Sequence, residues 1–400
     1  MQTITTTPHL PPSTSKPWTH YLTLDLILHI LHRSVFHPFI CFLIPLCLLA
    51  RHWPVSSRGI VYTFSWACLV TLYHTLAIWN HRLAYGRART VHLEHEVVLV
   101  AGGGGNGLGR LFAEVYAMKG VRGVAVLDTK MPKQGAEREE WEERGIRWFQ
   151  CDAGRREDVE RAKDQIFKEF DTHPTILINC VAAPITPGPI PSLTTPQFTS
   201  TLTTNLTSHF NLLSIFLPSI LSPSTNSGAT IVTTSSILTH LPPIHLAPYS
   251  ASKAALASLH HTLTAEIRAL SLSHKVKAIL VEPGQIDTSL FKGVETPSRF
   301  LAPVLDTREV VKVVTGLIDA GEGGIVRMPT YAGWVQWFGV LPVALQRVLR
   351  WASGIDRALA GVAAGGLGEG RGEEEQLVGK AKSDAKREES SGSDDLVLVE

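Results

Sequence analysis

Residues 97–109 have the sequence VVLVAGGGGNGLG, and this stretch decides the expected fold. Val97–Ala101 is a short apolar run typical of a buried strand, and glycine-rich residues 102–109 follow it where a helical pattern begins. Glycines in such a turn let backbone N–H groups approach a pyrophosphate at the helix N-terminus. The stretch therefore predicts a dinucleotide-binding strand–turn–helix unit.

Seven short β-branched runs, of which this is the first, alternate with helical segments such as Arg156–Phe170 and Ala251–Leu270. Alternation of this kind over residues 95–330 predicts a parallel sheet with helices on both faces. The predicted strands are Val97–Ala101, Val124–Leu127, Trp148–Cys151, Ile176–Asn179, Thr230–Thr234, Val276–Val281 and Ile325–Met328.

Two apolar stretches precede this domain. Val35–Ala50 has 16 residues without Lys, Arg, Asp or Glu, and Gly59–Trp79 has 21. Because a helix needs about 20 residues to cross the hydrocarbon core, we expect a membrane-anchor region at 21–94 with one or two transmembrane helices. Pro38 and Pro45 make the first stretch a kinked or half-buried span. A cleaved signal peptide is the alternative for it, and the second apolar stretch weighs against cleavage.

Three arginines, Arg82, Arg87 and Arg89, follow the second stretch. By the positive-inside rule they direct the large C-terminal part to the cytosol, although Arg51 and Arg58 oppose this orientation. We expect a membrane location, either endoplasmic reticulum or lipid droplet, with the large domain at 95–330 facing the cytosol.

The two ends of the chain and residues 331–360 differ in composition from the predicted α/β domain. Residues 1–20 are rich in Thr, Pro and Ser, and residues 361–400 in Gly, Ser and charged residues, so both are predicted to be disordered. Residues 331–360 combine tryptophans and leucines with arginines. An amphipathic helix at a membrane surface and an ordinary helix packed on the core both fit this pattern.

The composition narrows the function classes. The 400 residues include 37 Lys+Arg and 36 Asp+Glu, and a net charge of +1 argues against a nucleic-acid binder, which needs a basic field. Five scattered cysteines without a CxxC pair exclude a disulfide framework and a zinc ribbon. We expect no metal site.

Acidic side chains follow the second and third predicted strands. Asp128 lies 19 residues after Gly109, where a carboxylate can bind both hydroxyls of an adenosine ribose and repel a 2′-phosphate. Asp152 follows the third strand and could meet an adenine. The pattern favours NAD, while Lys130 could reach the 2′-phosphate of NADP. A plain loop carboxylate is the alternative for Asp128.

Tyr249 is the only one of seven tyrosines with a lysine, Lys253, four residues later, a spacing that places both side chains on one helical face. A free phenol has a pKa of about 10. A neighbouring ammonium and a cationic nicotinamide would lower that pKa towards the working pH. A solvent-facing pair on an amphipathic helix is the alternative.

Three further side chains could complete the site. Ser236 ends a strand 13 residues before Tyr249 and could hold a substrate oxygen beside the phenol. Asn205, in a helical pattern, could hold a water that links the lysine to solvent. Its match to a glycosylation sequon is discounted because the segment has the pattern of a buried helix. The turn at 283–288 can bring Thr288 to the carboxamide of a nicotinamide.

Taken in order, these motifs resemble the short-chain dehydrogenase/reductase family over about residues 95–330. The order is the glycine loop, the acid after the second strand, an asparagine strand end, the helix asparagine, the serine, Tyr-x-x-x-Lys and Pro-Gly-x-x-x-Thr. Two departures are visible: Gly102 stands where the family has threonine, and residues 179–182 read NCVA in place of NNAG. The apolar segments further resemble the membrane-bound branch of retinol and 17β-hydroxysteroid dehydrogenases.

The resemblance implies a Rossmann-type, doubly wound α/β fold with a seven-stranded parallel sheet, preceded by N-terminal membrane helices. It implies a tetrad in which Tyr249 is the acid/base and Ser236 polarises the substrate oxygen. In it Lys253 binds the nicotinamide ribose and lowers the tyrosine pKa, and Asn205 positions a relay water. The implied cofactor-binding residues are Gly103, Gly105, Asn106, Gly107, Leu108, Gly109, Asp128, Asp152, Asn179, Tyr249, Lys253, Pro283 and Thr288.

We therefore expect a membrane-anchored NAD(P)-dependent oxidoreductase that interconverts a lipophilic alcohol (a retinoid, steroid or other lipid-like molecule) and its ketone or aldehyde. Loops 183–196 and 285–303 carry few charges, which fits an apolar ligand. The expected partners are this substrate and membrane lipid, with a homodimer left open and no nucleic acid. The alternatives are a tailoring reductase for a small lipophilic secondary metabolite and a non-catalytic cofactor-binding membrane scaffold.

Overall fold

The computed structural model describes residues 22–130, 136–222, 228–291, 294, 296 and 298–357. The segments predicted to be disordered, 1–20 and 361–400, lie outside these ranges. The chain divides into two compact units. The first comprises the residues up to His74 together with Ser298–Pro303, and the second comprises Thr75–Pro297 and the residues from Val304 onward.

The first unit is built from helices α1 (Leu24–Arg33), α2 (Pro38–Ala50) and the first part of α3 (Arg58–Tyr85). Within it, the Trp66 indole Nε1 donates to the Val35 carbonyl at 3.0 Å. By length and composition, α3 could cross a membrane, and α1 and α2 pass the same test together with a bend of 54° between them. The bend precedes Pro38, whose fixed φ suits the first position of a helix.

The strands of the second unit are β1 (Val97–Ala101), β2 (Gly123–Asp128), β3 (Ile146–Gln150), β4 (Ile176–Asn179), β5 (Ala229–Thr234), β6 (Val276–Pro283) and β7 (Gly324–Met328). They form one seven-stranded sheet in the order β3-β2-β1-β4-β5-β6-β7, and every pairing is parallel. The predicted Rossmann-type sheet is confirmed.

Helices cover both faces of this sheet: α4 (Leu108–Met118), α5 (Ala136–Glu143), α6 (Arg156–Phe170), α7 (Thr195–Leu202), α8 (Ser208–Leu221), α9 (Ala247–Ala269) and α10 (Thr307–Asp319). One apolar cluster includes Phe112 of α4 and Val314 of α10, and another includes Leu212 and Phe216 of α8. Because both faces are covered, β1 is buried along its whole length, as its unbroken apolar sequence predicts.

Several boundaries differ from the sequence expectation, most by one to four residues, and two of the differences are described next. The third strand ends at Gln150, before Cys151. Residues 331–357 do not form one helix but α11 (Ala332–Val335), a 3₁₀ turn and α12 (Val343–Ser353). The break lies at Leu341, which has an extended backbone because Pro342 follows it.

Buried charges secure the amino edge of the sheet. The Arg89 guanidinium forms an ion pair with Glu96 at 2.9 Å, with side chains 2% and 3% exposed, and also donates to the Thr230 hydroxyl. The Lys277 ammonium donates to the carbonyls of Tyr85, Arg87 and Ser273. The connection between α3 and β1 is therefore held to the sheet by buried polar groups.

Candidate active site

The carboxyl edge of the sheet gathers most of the residues that the sequence singled out. The strand order reverses between β1 and β4, because the chain continues from β1 to β2 on one side and returns to β4 on the other. Ligands of open α/β sheets bind outside the strand ends at such a switch point. The glycine loop, the residue Asn179 and the turn after β5 all lie at this edge.

The glycine loop follows β1 in a conformation that excludes side chains. Gly102 has a φ of +81°, and a Cβ there would lie 2.9 Å from the backbone carbon of Cys180. A Cβ on Gly109 would lie 2.4 Å from the Gly102 carbonyl oxygen. Glycine at position 102, where the family has threonine, is thus required by the close approach of the chain after β4.

The outer side of the same loop is open. A Cβ on Gly105 or Gly107 would meet nothing within 4 Å. Gly107 caps α4 without a side-chain hydrogen bond, so the N–H groups of the first turn face an uncovered position. This arrangement fits a pyrophosphate, which Gly103, Asn106 and Leu108 of the same loop would also approach.

The acids after β2 and β3 bind backbone groups. The Asp128 carboxylate accepts hydrogen bonds from the backbone N–H groups of Gly104 at 2.9 Å and Lys130 at 3.0 Å. Asp152 is exposed and accepts from the N–H of Gly154 at 2.9 Å. Asp128 therefore braces the glycine loop and keeps oxygen lone pairs that could bind ribose hydroxyls.

Asn179 ends β4 and is 4% exposed. Its side-chain oxygen accepts from the N–H of Val181 at 3.2 Å. This bond turns the chain at the end of β4, beside the glycine loop. The orientation of the strand end thus depends on the asparagine side chain.

Ser236, Tyr249 and Lys253 lie together and are all buried. Ser236 follows β5, and its hydroxyl hydrogen-bonds with the phenol of Tyr249. Helix α9 begins two residues before Tyr249 and presents Lys253 one turn later, so the ammonium lies 5.8 Å from the centre of the phenol ring. The ammonium also donates to the Thr234 carbonyl at 2.9 Å.

Burial changes the acidity of both titratable groups. Burial raises the pKa of Tyr249 to about 12, and the Ser236 hydrogen bond opposes that rise. Burial lowers the pKa of Lys253 to about 8. In the protein without cofactor, loss of hydration penalises the phenolate more than its neighbours stabilise it. The lowering of the tyrosine pKa by Lys253 and a cationic nicotinamide together stays a prediction.

Asn205 lies in a π-helical turn, Thr203–Thr207, between α7 and α8, and is fully buried. Its amide nitrogen donates to the Ser252 hydroxyl at 2.8 Å, and its oxygen accepts from the N–H of Ala183 at 2.6 Å. Single π turns inside helices are frequent at functional sites. The structure thus joins Asn205 to the helix that carries Tyr249 and Lys253 through Ser252.

The turn after β6 approaches the glycine loop. Asn106, Gly107 and Thr288 are among the residues that line a cleft of about 240 Å³. Pro283 ends β6, and the following N–H of Gly284 donates to the Met328 carbonyl at 2.6 Å. The two ends of the expected cofactor site therefore face one cleft.

Several residues near Tyr249 escaped the sequence analysis. Ser252 donates to the Tyr249 carbonyl at 2.7 Å besides holding Asn205, and its position three residues after the tyrosine was the available signal. The Cys180 thiol lies 3.7 Å from the Thr234 hydroxyl, and burial raises its pKa to about 12. The Phe291 ring meets the Tyr249 ring edge-on at 5.9 Å, a contact with no sequence signal.

Apolar side chains surround the phenol. Tyr249 and Leu246 form a cluster with five partly buried side chains: Ile185, Leu238, Leu290, Phe291 and Val294. These residues come from the loops after β4, β5 and β6. The Tyr249 side chain thus lies against an apolar wall.

A sequence profile of the family described as short chain dehydrogenase matches residues 96–298. The chain belongs to this family. It is an NAD(P)-dependent dehydrogenase/reductase that acts on an alcohol or ketone, and its open glycine loop fits that cofactor.

Known proteins support the same assignment. Human 17-beta-hydroxysteroid dehydrogenase 13 is 31% identical over 241 residues, which cover 59% of this chain and 75% of that protein. This match confirms the resemblance to the 17β-hydroxysteroid dehydrogenase branch. The uncharacterized oxidoreductase TDA5 of Saccharomyces cerevisiae is 34% identical over 129 residues, 32% of this chain, and the match spans only 39% of TDA5.

A solved structure shares the fold. The crystal structure of a short chain dehydrogenase from Burkholderia cenocepacia in complex with NADP has a TM-score of 0.52 and 25% sequence identity. The match covers 65% of this chain and 99% of that chain.

Proposed function

We propose that the protein is a membrane-anchored oxidoreductase that interconverts a lipophilic alcohol and its ketone or aldehyde. The apolar wall around Tyr249 carries this proposal. An uncharged wall of Leu, Ile, Val and Phe side chains offers no partner to a polar or charged substrate, and it gains free energy by excluding water from an apolar one. Retinoids, steroids and other lipid-like alcohols fit this chemistry.

The proposed mechanism assigns the proton to Tyr249. During oxidation the Tyr249 phenolate takes the proton of the substrate hydroxyl and becomes the phenol, and during reduction the phenol gives its proton to the carbonyl oxygen. Ser236, already hydrogen-bonded to the phenol, holds the substrate oxygen in reach of it. The bound cofactor supplies nicotinamide C4 as hydride acceptor or donor and, when oxidised, a positive charge that favours the phenolate.

Lys253 and Asn205 support this proton transfer. The Lys253 ammonium lies close enough to the phenol ring to stabilise a developing negative charge, and its free donors suit the nicotinamide ribose. We propose that the π turn at Asn205 holds the relay water that links the lysine to solvent. The Asn205 amide gives one N–H to Ser252 and its oxygen accepts from Ala183, and its second N–H is the group that we assign to this water.

The proposed cofactor preference is NAD over NADP. The Asp128 carboxylate ends β2 beside the glycine loop. There it would accept hydrogen bonds from ribose hydroxyls and repel a 2′-phosphate.

Membrane anchoring is the second part of the proposal. Helix α3 is long and apolar enough to span a bilayer, and a lipophilic substrate concentrates in lipid, where an anchored enzyme can draw on it. Arg82 and Arg87 favour a cytosolic location of the second unit, on the endoplasmic reticulum or a lipid droplet. Arg89, counted with them in the sequence, is buried against Glu96 and adds no charge at the membrane surface.

A Tyr249→Phe substitution tests the proposed chemistry. The full-length protein in neutral lipid vesicles is supplied with NAD⁺ and alcohols of increasing apolar length. We expect the wild type to turn over the longer alcohols faster. We expect Tyr249→Phe to lose about 10²- to 10⁴-fold in turnover while binding NADH as before, because only the proton transfer is removed.

The matched control is Tyr62→Phe, which changes an exposed tyrosine of α3 and should keep full turnover. Unchanged turnover in Tyr249→Phe would eliminate the mechanism. NADH binding by the wild type without turnover of any alcohol or ketone would instead favour the non-catalytic scaffold.

A further inference from the structure

A basic pocket lies at the amino edge of the sheet, opposite the edge that carries Tyr249. It has a volume of about 300 Å³ and is formed by the last turn of α3, the residues after it and the loop before β7. The residues that line it are His81, Arg82, Tyr85, Gly86, Arg87, Ala88, Glu322 and Gly323. No residue of the proposed reaction takes part.

Two guanidinium groups dominate the charge of this pocket. Among the described residues, neither Arg82 nor Arg87 forms an ion pair, and both are exposed. The only carboxylate in the lining, Glu322, lies 3.6 Å from the His81 imidazole. The lining therefore has a net positive charge that its own side chains leave uncompensated.

The end of α3 would ordinarily repel an anion, because the carbonyls of a helix C-terminus carry partial negative charge. Here buried and neighbouring cations cover those carbonyls. Lys277 donates to the Tyr85 and Arg87 carbonyls, and Arg268 donates to the Ala84 carbonyl at 3.1 Å. These three carbonyls are thus occupied by donors, and the ammonium of Lys277 adds positive charge behind the pocket.

The position of the pocket along α3 indicates the source of an anion. The uncharged stretch of the helix ends at Trp79, and the pocket begins at His81, half a turn later. In a helix that spans a bilayer, this level corresponds to the lipid headgroups, where aromatic and basic residues concentrate. Basic pockets at this depth are suited to acidic headgroups.

We propose that this pocket binds a phosphate group, namely that of an anionic phospholipid headgroup or of a dissolved phosphate. The lipid case rests on the proposed anchoring by α3. A headgroup held there would fix the amino edge of the sheet at the bilayer surface. The cofactor cleft, at the opposite edge, would then open towards the cytosolic NAD(P).

The test measures retention of phosphatidic acid and phosphatidylcholine by the detergent-solubilised full-length protein, using native mass spectrometry. We expect the wild type to prefer phosphatidic acid, and the double variant Arg82→Gln/Arg87→Gln to bind it about 30-fold more weakly, since each arginine near an anionic lipid contributes about fivefold. We expect Glu322→Gln to bind it about fivefold more tightly, because this change removes the opposing charge.

The matched control is Arg51→Gln/Arg58→Gln, which removes two arginines near the other end of α3 and should retain phosphatidic acid. The proposal would be wrong if both double variants lost affinity for phosphatidic acid equally, or if Arg82→Gln/Arg87→Gln lost none. NADH binding, at the opposite sheet edge, reports that every variant is folded.

Two further experiments identify the source of the bound phosphate and test membrane anchoring separately from phosphate binding. Displacement of phosphatidic acid by inorganic phosphate supports a site for free phosphate, and resistance to it supports a lipid site. Flotation with neutral phosphatidylcholine vesicles tests anchoring alone. A protein that stays out of those vesicles but still prefers phosphatidic acid in detergent contradicts the anchoring and supports the pocket.

Discussion

Two buried lysines at opposite edges of the sheet differ in how their ammonium groups are satisfied. Among the residues that the structure describes, Lys277, near the amino end of β6, donates to three backbone carbonyls, whereas Lys253 on α9 donates to one, that of Thr234. Both residues are 2% exposed. An ammonium has three N–H donors, so Lys277 uses all of them within the fold.

The difference separates a structural charge from a functional one. Burial lowers the pKa of both lysines. Lys277 recovers the lost hydration in hydrogen bonds to the chain, while Lys253 keeps donors that a ligand can take. A buried charge in a cleft whose donors are not all used is typical of a functional site. We therefore propose a functional role for Lys253 and a structural one for Lys277.

The largest expected effect is that of Lys253→Met. We expect turnover to fall by about 10²- to 10⁴-fold, because the phenolate of Tyr249 loses its neighbouring cation and the nicotinamide ribose loses a donor. We expect stability at pH 7 to be unchanged or higher, since a poorly satisfied buried charge has been removed. Steady-state kinetics measure the turnover, and urea unfolding measures the stability. If Lys253→Met were less stable but fully active, Lys253 would have a structural role and not a functional one.

The pH dependence of stability sharpens this prediction. The pKa of Lys253 is lowered from 10.5 to about 8. Between these values the unfolded chain holds a proton that the folded protein has released, so stability rises with pH across this window. At pH 9.5 we expect the wild type to gain about 2 kcal/mol relative to Lys253→Met, compared with pH 7. An identical pH profile in both proteins would contradict the shift.

The next effect is on folding. We expect Lys277→Met to lower the free energy of unfolding by about 3 kcal/mol, because carbonyls near the end of α3 lose their donor in a buried place. Turnover below the unfolding transition should stay within about twofold of wild type, since the site lies at the other edge. A large loss of turnover in the folded variant would break the comparison between the two lysines.

The smallest effect concerns the cofactor. We expect Asp128→Asn to raise the ratio of NADP to NAD efficiency by about tenfold, because the negative charge that would face a 2′-phosphate is removed. The single amide oxygen can still accept from the Gly104 N–H of the glycine loop, while the Lys130 N–H loses its acceptor. Comparison of kcat/KM with the two cofactors measures the ratio. A wild type that already prefers NADP would contradict the NAD assignment.

Much of the fold followed from local patterns. The apolar runs and the glycine loop predicted the parallel sheet and its first strand–turn–helix unit, because strand burial and turn geometry depend on short, local sequence patterns. The Tyr-x-x-x-Lys spacing likewise predicted one helical face. Ser252 and Phe291 were missed, since their contacts depend on elements that are distant along the chain.

Sequence reasoning was misled where burial mattered. Gly102 stood out as a departure from the family's threonine, but the chain after β4 leaves no space for a Cβ there. Arg89 resembled a membrane-flanking charge, but it pairs with Glu96 inside the fold. No sequence pattern indicated that burial raises the pKa of Tyr249 in the protein without cofactor.

The order of apolar runs, glycines and spaced polar residues was sufficient by itself to determine the α/β sheet, the family and the candidate catalytic residues, because these depend on periodicity and short spacings. Tertiary structure alone decided which charges are buried, which carbonyls satisfy them and which wall faces the phenol. Those properties arise when segments that are distant along the chain pack together and exclude water. The resulting loss of hydration cannot be predicted from any single stretch of the sequence.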